Sequence, residues 1–75
     1  MALIVGFTKV WEDADRVEYL MGTGSRIDER LVIEKRSRRG APANGILTPM
    51  FRAAYYRILE LQEATGAWPT EGTAA

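Results

Sequence analysis

Histidine and cysteine are both absent from this chain of 75 residues. Their absence excludes the usual nucleophile and base pairs of acyl transfer, and the imidazole and thiolate ligands that zinc sites draw on. It also excludes a disulfide framework, so a small core has no covalent support and oligomerisation becomes one way to replace it. We therefore predict a non-catalytic protein without a cofactor, with a small enzyme based on Asp, Glu or Tyr as an alternative.

The sequence also lacks an excess of charge of either sign and any long apolar run. Ten basic residues balance ten acidic ones, so no overall field attracts nucleic acid or an anionic membrane. No apolar run approaches the length of a membrane span, and the apolar residues 1–7 lack the basic segment of a signal peptide. We therefore expect a cytoplasmic protein with no membrane partner.

Alternating apolar residues in the first half of the chain predict a β-meander. Period-two patterns indicate strands at residues 3–11, 16–21 and 31–34, and the segments between them, 12–15 and 22–25, are rich in turn residues. The first strand is expected to place Trp11 on the core face. The predicted core of the sheet consists of Leu3, Val5, Phe7, Val17, Tyr19, Leu31 and Ile33.

The registers of the two predicted hairpins differ in how well the sequence defines them. In the second hairpin, a tight turn at residues 24–25 would place Tyr19 opposite Arg30, whereas a longer loop places Tyr19 opposite Leu31 and keeps the core on one face. We therefore predict the longer loop. Two registers stay open for the first hairpin, Phe7 opposite Met21 or Lys9 opposite Glu18.

A change to helical periodicity follows residue 48. Thr48 is a favourable N-cap, Pro49 suits the first helical position, and Gly66 is a favourable C-cap, so the helix is expected to end near residue 65. Trp68 is expected to fold back on the core. The apolar stripe of the helix consists of Met50, Phe51, Ala54, Tyr55, Ile58 and Leu61.

Together these patterns predict an α+β fold, a three-stranded antiparallel β-meander followed by one C-terminal α-helix packed on one face (βββα). Residues 36–47 have loop composition and connect the sheet to the helix. We assign residues 1–69 to a single α+β domain and residues 70–75 to a flexible C-terminal tail.

The densest charge in the sequence is a basic run in the predicted loop after the third strand. Guanidinium and ammonium groups in such a loop can contact phosphates, so nucleic-acid binding is an alternative function. A solvated surface loop explains the same run. The residues concerned are Lys35, Arg36, Arg38 and Arg39.

The sheet face turned away from the helix is more apolar than a solvent-exposed face requires. A second copy of the chain could cover it, since two-fold homodimers are the commonest assembly. The exposed side of the helix is a second possible contact. We therefore predict a protein-interaction module that forms a homodimer, with an interface drawn from Ile4, Val10, Leu20, Val32, Arg52 and Tyr56.

The amino-acid composition and two short segments of the sequence suggest a resemblance to other proteins. Eight arginines accompany two lysines, ten residues are alanine, and the segments VWEDADRVEY and ATGAWPTEG stand out. In these respects the chain resembles short bacterial proteins of GC-rich actinobacteria. That resemblance implies no known activity or site.

Overall fold

The computed structural model describes residues 4–74, which form five strands and one helix. The sheet is antiparallel throughout, with the strand order β4-β3-β2-β1-β5. In chain order the elements are β1 (Val5–Glu12), β2 (Arg16–Thr23), β3 (Arg26–Glu34), β4 (Gly40–Pro42), α1 (Pro49–Thr65) and β5 (Glu71–Ala74).

The predicted α+β class and the C-terminal helix packed on an antiparallel sheet are confirmed. The prediction of three strands is too narrow, because short strands flank the meander on both sides. Strand β4 lies inside the predicted loop, residues 36–47, and β5 lies inside the predicted tail, residues 70–75. The polypeptide that follows α1 therefore returns to the sheet, where residues 71–74 pair with β1.

The two added strands lack the alternating apolar side chains that mark the meander, and each is short. Both carry a glycine against an aromatic ring on the core face. A Cβ on Gly40 would lie 2.7 Å from the Tyr55 ring, and one on Gly72 would lie 2.7 Å from the Phe7 ring. The bulky partner stands on another element, so the strand's own sequence carries no hydrophobic pattern.

The first hairpin adopts the register in which Phe7 lies opposite Met21, one of the two that the sequence left open. A β-bulge at Val10 then shifts the register, so that Trp11 pairs with Glu18. Because side chains alternate along a strand, one extra residue moves every later side chain to the opposite face. The prediction that Trp11 faces the core is therefore wrong.

The second hairpin has the predicted pairing of Tyr19 with Leu31, but it does not use a longer loop. Gly24, with φ of 60°, begins a tight two-residue turn, as a type II′ turn requires of its first position. A bulge at Asp28 then supplies the extra residue that brings Leu31 opposite Tyr19. The two-residue turn alone would place Tyr19 opposite Arg30, one residue short of the pairing that the core pattern favours. The bulge removes this offset.

The core lies between the sheet and the helix. The predicted apolar stripe is confirmed: Phe51, Ala54 and Ile58 are buried, and the remaining three residues pack against the core together with Trp68. Leu3 lies outside the described residues. The buried hydrophobic residues of the sheet are Val5, Phe7, Val17, Tyr19, Met21, Leu31, Ile33 and Ala74, and Gly22 and Pro42 are buried as well.

Both predicted helix caps are present. The hydroxyl oxygen of Thr48 accepts a hydrogen bond from the Phe51 amide at 3.1 Å, and Pro49 is the first helical residue. At the other end Gly66 adopts φ of 79° and its N–H donates to the Gln62 carbonyl at 2.8 Å. These contacts satisfy backbone groups that have no partner within the helix.

Candidate protein-interaction surface

The sheet face opposite α1, called the outer face below, carries two of the predicted interface residues. Leu20 and Val32 are half-buried there and lie opposite Arg30 and Glu18, which form an ion pair at 2.8 Å. An exposed ion pair stabilises the fold little, although the aliphatic parts of both side chains cover apolar surface. The outer face is therefore mixed in character, and no helix formed by residues 4–74 packs on it.

Trp11 is an outer-face residue that the sequence pattern assigned to the core. The Arg16 guanidinium carbon lies 5.5 Å from the centroid of its ring, within the range of a cation–π contact. Trp11 is 41% exposed, and its neighbour Val10, a predicted interface residue, is 43% exposed. The bulge thus places two large apolar side chains on the surface at one end of β1.

A groove runs between α1 and the edge strand β5. It has a volume of about 630 Å³ and brings together Ile4 and Tyr56, two predicted interface residues that are 52 positions apart in the sequence. Ile4 is 61% exposed and Tyr56 64% exposed. The other lining residues are Ala53, Arg57, Glu60, Thr73 and Ala74.

The backbone of β5 forms one wall of this groove. The N–H of Lys9 donates to the Thr70 carbonyl at 2.7 Å, which makes these two residues a hydrogen-bonded pair in the register that β1 and β5 continue. Hydrogen-bonded and non-hydrogen-bonded pairs alternate along an antiparallel ladder. The backbone N–H and C=O groups of Glu71 and Thr73 therefore point away from β1, toward the open side.

Arg52, the remaining predicted interface residue, is exposed on α1 but does not line the groove. Ile46 and Leu47, which no sequence pattern singled out, precede the helix and are each 62% exposed. They lie in a segment of loop composition, where two adjacent apolar residues produce no periodic signal. The six predicted interface residues are thus distributed between the outer face, the groove and the outer side of the helix.

The basic run does not form one patch, because its two half-buried members are directed to different elements. The ammonium group of Lys35 bonds the Glu12 carboxylate at 2.6 Å, and Lys9 bonds the other oxygen of that carboxylate at 2.7 Å. These two hydrogen bonds lower the pKa of Glu12. Lys35 therefore ties the loop after β3 to the end of β1.

Arg38 attaches the same loop to the helix. Its guanidinium group donates to the side chain of Gln62 and to the Leu59 carbonyl, lies 3.6 Å from the Glu63 carboxylate, and stacks 5.7 Å from the Trp68 ring centroid. Its backbone has φ of 61°, a left-handed conformation rare for a residue other than glycine. Arg38 is thus a positioning residue of the loop, while Arg36 and Arg39 are exposed.

Tyr19 is a buried titratable side chain with a structural partner. Its hydroxyl donates to the Pro69 carbonyl at 2.6 Å, and burial, aided by the charge of Glu12, raises its pKa. A phenol that stays protonated serves as a hydrogen-bond donor and not as a base. The bond holds the segment between α1 and β5 against the core.

Comparisons of the chain with protein-family models, with curated proteins and with solved structures found no match. Within residues 4–74, the helix is neither long nor apolar enough to cross a membrane.

Proposed function

We propose that the protein is a non-catalytic protein-interaction module that acts as a homodimer. The groove is the observation that carries the proposal, since Ile4 and Tyr56 are largely exposed there beside β5, whose outer side pairs with no other strand of residues 4–74. Apolar surface next to unpaired backbone groups favours contact with another polypeptide.

The composition supports a second copy as the partner. The formal net charge is zero, so two copies experience no overall repulsion. The chain also has no disulfide to strengthen its small core, and burial of further apolar surface in a dimer compensates for that. The outer face, with Val10, Leu20 and Val32, is the competing place for the dimer contact.

Nucleic-acid binding through Lys35, Arg36, Arg38 and Arg39 is the weaker alternative. Lys35 and Arg38 already have carboxylate partners within the chain and are directed to different elements. A phosphate backbone would have to displace those partners. Salt-sensitive binding to DNA or RNA that is lost when the four residues are replaced by alanine would favour this alternative.

Sedimentation velocity over a range of concentrations tests the proposal. We expect a species of twice the chain mass of 8.4 kDa, with dissociation on dilution. Because the proposed contact is mainly apolar and backbone-mediated, high salt should not dissociate it. A strict monomer at the highest soluble concentration would contradict the proposal.

A further inference from the structure

We infer that two copies of the chain associate through their β5 strands, edge to edge, so that two five-stranded sheets become one continuous sheet about a two-fold axis. This inference rests on the proposed homodimer and assigns its contact. Antiparallel pairing of a strand with its own copy is two-fold symmetric, as the interface of a symmetric dimer must be.

The backbone of β5 supplies the hydrogen bonds for this pairing. The N–H and C=O groups of Glu71 and Thr73 point away from β1, as the Lys9–Thr70 hydrogen bond establishes. Such groups form a ready template for a further strand. Two copies paired through Glu71 and Thr73 would exchange four backbone hydrogen bonds.

Charge selects the register of the pairing. If Glu71 lay opposite its own copy, two carboxylates would face each other across the strands, which is unfavourable. A register with Gly72 on the two-fold axis instead places Glu71 of each copy opposite Thr73 of the other. The two carboxylates are then separated. The two residues that face each other in each pair both carry outward backbone groups, so they can hydrogen-bond directly.

The groove side chains complete the interface. Helix α1 packs over β5, β1 and β2, so an axis perpendicular to the sheet brings both helices to the same side, next to the shared edge. Ile4 and Tyr56 would then be covered by the other copy. Arg57 and Glu60 line the same groove and form an ion pair with each other. The groove therefore carries no net charge from this pair, and two copies can meet there without repulsion.

Thr73→Pro is the direct test, because proline removes the outward N–H of residue 73 while β1 keeps its own hydrogen bonds. We expect the dimer dissociation constant to rise roughly tenfold or more, since two backbone hydrogen bonds are lost per dimer. Thr73→Val keeps the N–H and is the matched control, with an unchanged dissociation constant. Sedimentation velocity gives the constants, and circular dichroism checks the fold.

The outcomes separate this inference from the proposed function. A wild-type protein that stays monomeric overturns both. A wild-type dimer that Thr73→Pro leaves intact, but that Leu20→Glu on the outer face abolishes, overturns the edge contact and retains the homodimer. Loss of the dimer in Thr73→Pro, with the dimer retained in Leu20→Glu, supports the edge contact.

A charge exchange on α1 decides the matter if Thr73→Pro does not fold. Arg57→Glu places two acidic residues in the groove of each copy and should weaken the dimer several-fold. Arg57→Glu combined with Glu60→Arg restores both signs and should restore the dimer. Equal dissociation constants for the wild type and both variants would overturn the inference.

Discussion

The two edge strands of the sheet, β4 and β5, are held by similar side-chain contacts but differ in their outward backbone groups. At each edge a glycine on the core face packs under an aromatic ring, Gly40 under Tyr55 and Gly72 under Phe7. A tyrosine hydroxyl also bonds a carbonyl two residues before each strand: that of Tyr55 bonds the Arg38 carbonyl, and that of Tyr19 bonds the carbonyl of residue 69. Both edge strands are therefore held by side chains from other elements.

The outward backbone groups distinguish the edges. On β4 the outward positions are Gly40 and Pro42, because Ala43 donates to the Arg30 carbonyl and the ladder alternates from there. Pro42 has no N–H, and its carbonyl accepts from Gly45 at 3.0 Å. Strand β4 thus leaves outward backbone groups at Gly40 alone, whereas β5 leaves them at two residues. The difference identifies β5 as the edge suited to pairing.

The largest expected effect comes from filling the space under the aromatic rings. Gly72→Ala places a Cβ 2.7 Å from the Phe7 ring, which is buried in the core and cannot move freely. We expect a loss of about 1–3 kcal/mol in the free energy of unfolding. Gly40→Ala should cost less, because the half-buried Tyr55 ring can shift outward. Urea unfolding at one fixed protein concentration compares the two variants. Equal losses in the free energy of unfolding would contradict the predicted larger effect of Gly72→Ala.

Removal of the two hydroxyl groups should have the next largest effect. Tyr19→Phe deletes the hydrogen bond to the Pro69 carbonyl and should lower the free energy of unfolding by about 1 kcal/mol. In Tyr19→Phe, protection of backbone amides against hydrogen exchange should fall more in β5 than in β4. Tyr55→Phe should show the opposite pattern at a smaller cost, since Tyr55 is half-buried and Tyr19 is fully buried. Native-state hydrogen exchange measures both, and uniform loss over the sheet would contradict independent attachment of the edges.

Pro42→Ala tests whether proline closes the β4 edge. The substitution adds chain entropy to the unfolded state and removes part of a buried ring, so it should cost about 1 kcal/mol. The new amide has no partner on β3 and should exchange faster than the Ala43 amide, which donates to the Arg30 carbonyl. Strong protection of that amide would show that another group covers β4, and the asymmetry between the two edges would then need another explanation.

The smallest effect concerns the ion pair that fixes the loop before β4. The pKa of Glu12 is lowered from its ordinary value of 4.5 by hydrogen bonds from Lys35 and Lys9. Since the lowered pKa belongs to the folded state, the stabilisation is present above pH 4.5 and is lost as the pH falls through the folded-state pKa. Unfolding curves at several pH values should show this loss in the wild type, and Glu12→Gln should lack it. Parallel pH profiles for the two proteins would contradict the assignment.

The meander and the helix could be predicted because their signals are local. Alternation in the first 34 residues and the 3.6-residue stripe after Thr48 each place apolar side chains on one face, and the helix caps depend on residues within one turn of the helix. Of the site, Ile4 and Tyr56 could be identified as exposed apolar residues. That they line one groove could not, because the strand that joins them, β5, has no hydrophobic pattern of its own.

What the sequence by itself determined is the α+β class, the core face of the meander and the limits of the helix, since these follow from side-chain periodicity and backbone capping. Tertiary structure decided the rest. The bulges at Val10 and Asp28 arise where a turn and a core pattern disagree by one residue, and the bulge at Val10 sets the face on which Trp11 lies. Strands β4 and β5 form because Tyr55 and Phe7, distant in sequence, supply the apolar surface that Gly40 and Gly72 lack. A contact between residues far apart along the chain produces no periodic pattern in the sequence. Only the folded sheet therefore shows that β5 is an edge strand with outward backbone groups at Thr73.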